Sequence, residues 1–145
     1  MSQAPDTMIR EWFEQLWNQK REDTIDRLLA PNGLVHGLPT PDKQPLRGPD
    51  QFKALYRQFR QAFPDLKMTV VQTVREGDVA ALHCRATGKH EGDGLGVPPS
   101  GRDVDFEGMV FVRSDGDRLV EAWNCFDFLA LYQQIGAVGA PTGTR

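Results

Sequence analysis

Between Asp6 and Asn18, the apolar residues Met8, Ile9, Trp12, Phe13, Leu16 and Trp17 recur at intervals of three and four. That spacing predicts an amphipathic helix, with Asp6 or Thr7 placed to cap it. A second, short helix is expected over Glu22–Leu29, ended by Pro31 and the Asn32-Gly33 pair. Leu34 to Gly37 reads as a brief extended piece before a loop rich in proline. A third helix opens at Gly48-Pro49, where proline suits the first helical position and Asp50 the first turn. It carries Phe52, Leu55, Tyr56, Phe59 and Phe63 along one face and stops at Pro64.

Beyond Pro64 the period changes to two. Strands are expected over 66–76, 79–90, 102–113 and 118–126. Tight turns fall at Glu76-Gly77-Asp78 and Asp115-Gly116-Asp117. Phe128 to Ile135 forms a closing helical turn or two. The expected domain is 1–136, with 137–145 a flexible tail of small residues. Helices followed by an antiparallel meander define an α+β class. A curved antiparallel sheet wrapped on helices encloses a hollow, the usual place for a small apolar ligand.

Composition narrows the partners. With 145 residues and 39% hydrophobic content, the chain buries a core without staples. A net charge of −3 with no clustered basic surface argues against nucleic acid. The basic stretch within LYRQFRQAF reads as the wet face of the third helix. No apolar run approaches membrane-spanning length, and the N-terminus lacks a signal-peptide pattern. A cytoplasmic protein without a membrane partner is the expectation.

Residues 88 to 109, GKHEGDGLGVPPSGRDVDFEGM, contain six glycines, paired prolines and recurring acids. A phosphate loop must open onto a helix, whereas here Pro98-Pro99 lead into an alternating strand. A metal site is equally unsupported. His36, His83 and His90 are not at helical i, i+4 spacing, and Cys84 and Cys125 have no C-x-x-C partner. Neither metal nor cofactor is expected, and the stretch reads as a long hairpin connection.

The order of several segments is more specific. FEQLWN with DTIDRLLAPNGLVHG, then GPDQFKALYRQFRQAFPDLKMTV, GKHEGDGLGVPPSGRDVDFEG, and DGDRLVEAW followed by DFLALYQQIG span nearly the whole chain. In this order they resemble the SnoaL-like polyketide (ester) cyclases of the NTF2-like superfamily. The resemblance implies a cone-shaped α+β barrel, with N-terminal helices packed on a curved antiparallel sheet that encloses a pocket. It implies that the 88–109 stretch helps shape the pocket mouth. It also implies a cofactor-free intramolecular aldol closure, with a carboxylate on the last strand and a histidine on the strand before as acid and base. Aligned on PPSGR and DGDRL, those roles fall on Asn124 and Val110. An amide does not titrate usefully and valine has no proton to give, so the aldol activity is in question.

Strand alternation assigns the remaining candidates. If Asn124 faces the hollow, so do Val120, Ala122 and Phe126, with Phe106, Gly108 and Val110 on the neighbouring strand. Asp103, Asp105 and Glu107 then point outward. His36, between apolar residues at a position expected to border the hollow, is a candidate general base or a histidine satisfied by a backbone carbonyl. Asp127 is a helix N-cap or a base. His90 is a mouth residue or a solvent-facing hairpin histidine. Trp12 and Trp17 are core residues, of which Trp17, nearer the helix end, is also a candidate for the wall of the hollow. Met109, Phe111, Trp123 and Cys125 share the outward parity and predict a homodimer. The function expected is acid/base chemistry (cyclisation, isomerisation or hydrolysis) on a small hydrophobic carbonyl compound, with Asn124 donating a hydrogen bond to a developing oxyanion. The alternatives are a non-catalytic module binding a similar ligand and a partner-binding domain.

Overall fold

A computed structural model of the protein describes residues 3–139. Helix α1 (Pro5–Glu11) begins with proline in its first turn and has no side-chain cap, so neither Asp6 nor Thr7 caps it. It widens into a π-helical segment, Trp12–Asn18, closed by Gln19 N–H donating to the Glu14 carbonyl at 3.1 Å. Trp12, Phe13, Leu16 and Trp17 all turn inward there. Such bulges occur where side chains must be re-aimed, often at functional sites.

Helix α2 (Asp23–Leu28) runs directly into strand β1 (Leu29–His36), which is longer than the extended piece expected at Leu34–Gly37. A two-residue strand β2 (Leu46–Arg47) precedes α3 (Gly48–Ala62). Strands β3 (Lys67–Glu76), β4 (Val79–Lys89), β5 (Asp103–Ser114) and β6 (Leu119–Phe126) follow, and α4 (Phe128–Gln134) closes the fold. Gly136, at φ +82, ends α4, and Ala137 and Val138 both donate to the Tyr132 carbonyl. The first residues of the expected tail are thus bonded to the helix, while 140–145 lie outside the described residues.

The sheet order is β2-β1-β6-β5-β4-β3. β3 to β6 form the expected antiparallel meander, but β1 joins β6 in parallel, so the sheet is mixed. The long excursion through α3 and four strands between β1 and β6 permits the parallel pairing, which a short turn could not make. The sheet is open rather than a closed barrel, and the helices cover one face. Bulges at Leu29/Leu34, Val70/Gln72 and Arg113/Ser114 interrupt its ladders and bend it.

Two polar contacts anchor the helical layer. The Tyr56 hydroxyl donates to the Leu16 carbonyl, joining α3 to the π segment. Asn18 donates to and accepts from the backbone of Met68, at 2.8 and 2.7 Å, tying the end of that segment to β3. β5 alternates without a break: Val104, Phe106, Gly108, Val110, Val112 and Ser114 face the helices, and the residues between them face out. No helix among the described residues is long and apolar enough to cross a membrane.

Candidate functional site

Between helices and sheet lies a cavity of about 60 Å³, room for about four to six waters. Its walls come from the π segment (Trp12, Phe13, Trp17), α3 (Phe52, Leu55, Phe59) and the inward rows of β5 and β6. Phe106, Val110 and Phe126 line it, as does Trp17. Most of these side chains are buried; Leu38, Asn124, Phe126 and Phe128 are partly exposed, and they mark the mouth.

Glycine shapes that mouth twice. Gly37, at φ +87, turns the chain after β1 so closely that a Cβ there would lie 1.9 Å from the Asn124 carbonyl oxygen. On β5, a Cβ at Gly108 would lie 2.2 Å from the Phe126 ring, which rests on the bare backbone. That ring also meets Phe106 at 6.2 Å and Phe128 at 5.8 Å between centroids.

Among the described lining residues, Asn124 is the one with an amide, carboxyl, hydroxyl or imidazole group, and none carries a titratable side chain. Asn124 Nδ2 donates to the His36 carbonyl at 2.9 Å. One of its two N–H groups is therefore already engaged. The geometry suits holding a polar ligand atom in an apolar, low-dielectric space and does not supply a proton acceptor of useful strength.

The other sequence candidates lie elsewhere. His36 does not border the cavity. In the parallel register it pairs with Trp123, while Val35 pairs with Ala122, and alternation turns the imidazole to the outer face. There its Nε2 meets Glu121 Oε2 at 2.7 Å, and its ring stacks on Trp123 at 5.7 Å. The hydrogen bond from His36, with a further one from Arg113, holds the Glu121 carboxyl below its usual range. Asp127 is the N-cap of α4, accepting from Ala130 N–H at 3.0 Å, and is exposed. It does not line the cavity.

His90 is neither at the mouth nor in solvent: it is fully buried against Phe63, 5.5 Å between rings. Its Nδ1 accepts from Ser100 N–H at 3.1 Å, and its backbone pairs with Arg102 and Gly101. The loop it closes docks on the end of α3, where Glu91 and Gly92 donate to the Ala62 carbonyl. No residue of that loop lines the cavity, although it joins β4 to β5 as expected. Cys84 is buried, and burial pushes its thiol up to about 12, so it is no nucleophile. Among the described residues no group of three or more metal-ligating side chains is assembled.

Several wall residues carried no functional signal in the sequence. Phe52, Leu55 and Phe59 read as a core stripe, which they also are. Leu38 lies in a loop with no periodicity. Leu119 turns inward, where Val120 was expected, because the bulge at Arg113/Ser114 shifts the register.

The outward face holds a groove of about 510 Å³ lined by Val74, His83, Met109, Phe111, Trp123 and Cys125 among others. Met109, Phe111 and Trp123 are 61, 56 and 41% exposed. Polar contacts border this apolar band: the Arg85–Asp105 ion pair and the His83–Glu107 hydrogen bond towards one end, the Arg113–Glu121 ion pair and the His36–Glu121 hydrogen bond towards the other.

An open, bent sheet wrapped on a helical layer, with an apolar cavity between them, defines an α+β protein of the NTF2-like class. The family model described as SnoaL-like polyketide cyclase matches residues 7–135, and the chain belongs to that family. A proposed SnoaL-like polyketide cyclase from Jannaschia sp. CCS1 shares the fold at 24% identity and TM-score 0.80, over 95% of this chain and 99% of that one. IdmH, a proposed polyketide cyclase from Streptomyces antibioticus, is 28% identical with TM-score 0.78, over 92% of this chain and 99% of that one. A ketosteroid isomerase-like protein from Catenulispora acidiphila, crystallised with trimethylamine, shares the fold at 14% identity and TM-score 0.73, over 99% of each chain. No curated protein matches the sequence.

Proposed function

We propose that the protein binds a small, neutral, hydrophobic molecule in the cavity and lacks the family's proton-transfer machinery. The observation that carries this reading is the wall itself: among the described residues, nineteen apolar side chains and Asn124, with no titratable group. A charged ligand would lose its hydration there without finding a partner. Val110, on the strand beside Asn124 and paired with it, adds bulk and no chemistry. Catalysis is the second reading, favoured by family membership and by IdmH. In that case Asn124 would hold the substrate while water or the substrate's own groups move the proton.

The outer face supports a homodimer. Its apolar band lies within a rim carrying both signs of charge at each end, the anatomy of a protein interface. A second copy of the same face presents matching apolar area.

Trp12 and Trp17 line the cavity, so ligand entry should change tryptophan emission. Titration with single-ring neutral aromatics should give saturable binding, and product analysis over hours should show the compounds unchanged. Conversion of a carbonyl ligand at a rate proportional to protein concentration would replace this reading with the enzymatic one.

A further inference from the structure

Resting on that reading, the orientation of Asn124 narrows the ligand class. The atom 2.9 Å from the His36 carbonyl oxygen must be the amide nitrogen, because a carbonyl only accepts. The amide is therefore not free to flip. Gly37 holds β1 in place for this contact, since any side chain there would strike the Asn124 backbone. With Nδ2 committed to β1, the other branch of the amide, Oδ1, is left with both lone pairs. No described residue donates to it. The side chain shares the inward parity of Ala122 and Phe126 and lines the cavity.

We propose that Asn124 Oδ1 is a fixed hydrogen-bond acceptor that makes the cavity select a neutral single-ring ligand carrying a hydroxyl or N–H. A carbonyl or ether of the same size would leave Oδ1 facing an acceptor, and the ligand oxygen would have to compete for the one remaining N–H. The cost of an unpaired polar atom in an apolar site is what lets such sites reject analogues lacking the donor. Free space for about four to six waters sets the size at one ring. The role differs from the oxyanion donor expected from sequence, since the amide nitrogen already serves β1.

Four probes on the full-length protein test this by tryptophan emission or calorimetry: p-cresol, toluene, 4-methylanisole and p-tolualdehyde. Toluene is smaller than p-cresol and 4-methylanisole larger, so size alone cannot rank p-cresol above both. The expected result is p-cresol binding about ten- to a hundredfold tighter than the other three. Asn124→Leu should bind all four within about a factor of three of one another, while Asn124→Asp should keep an acceptor and keep the preference. Equal binding of p-cresol and 4-methylanisole to the wild type, or tighter binding of p-tolualdehyde, would overturn the inference while leaving the cavity a ligand site. Binding of none of the four would overturn both.

Discussion

Gly108→Val is expected to cost about 1–3 kcal/mol of stability, the usual range for overpacking a filled interior. The Cβ position lies 2.2 Å from Cδ2 and 2.5 Å from Cγ of Phe126, so a small tilt of the ring does not relieve the clash. The ring must leave its place, and it then breaks contact with Phe106 and Phe128. Urea denaturation should show a lower midpoint at an unchanged slope. In a Phe126→Ala background most of the cost should vanish, because the atoms that valine strikes are gone. An unchanged midpoint for Gly108→Val alone would mean that Phe126 does not sit on β5 as described. The same variant reads out function: with the ring displaced at the mouth, association and dissociation of any ligand should both change.

Phe111→Asp combined with Trp123→Asp should convert a micromolar dimer to a monomer. Both side chains are exposed in the single chain, so the fold should survive and the circular dichroism spectrum should match the wild type. Central aromatic anchors each contribute about 2 kcal/mol or more to an interface. Loss of one such anchor raises the dissociation constant about thirtyfold, and a buried carboxylate raises it further. Sedimentation should therefore show a wild-type dimer and a monomeric variant at the same concentration. Cys125, on the same face, should react with thiol reagents faster in the variant. A wild-type monomer, or a variant that sediments like the wild type, would remove the outer face from the assembly.

Much of this architecture is legible along the chain. The α3 stripe, the β5 alternation and the turns at Gly77 and Gly116 follow from period and turn chemistry, because each depends on neighbours a few residues away. The ordered family segments supplied the class. What could not be read depends on pairing across long separations. His36 sits among apolar residues and suggests an inward base, yet its face is set by register against Trp123, far along the chain on β6. His90 looks like a loop histidine because nothing local shows that its loop docks on α3. The widening at Trp12–Asn18 leaves a helical period nearly intact, so the pattern alone does not separate it from an α-helix. Asn124 is the opposite case. Its inward parity and its lack of a titrating group were both visible in sequence, while the His36 carbonyl that orients it was not.

The most direct measurement compares three proteins on one polyketide cyclase substrate: wild type, Asn124→Asp, and Asn124→Asp with Val110→His. Loss of a positioned base typically costs about a hundred- to ten-thousandfold in rate. The Asn124→Asp substitution would place a carboxylate among apolar walls, where desolvation raises its pKa towards a useful range. The predicted order is a wild type that binds without measurable turnover, slow turnover in the single variant, and faster turnover in the double. Wild-type turnover equal to or above that of both variants would contradict a cavity without a working base.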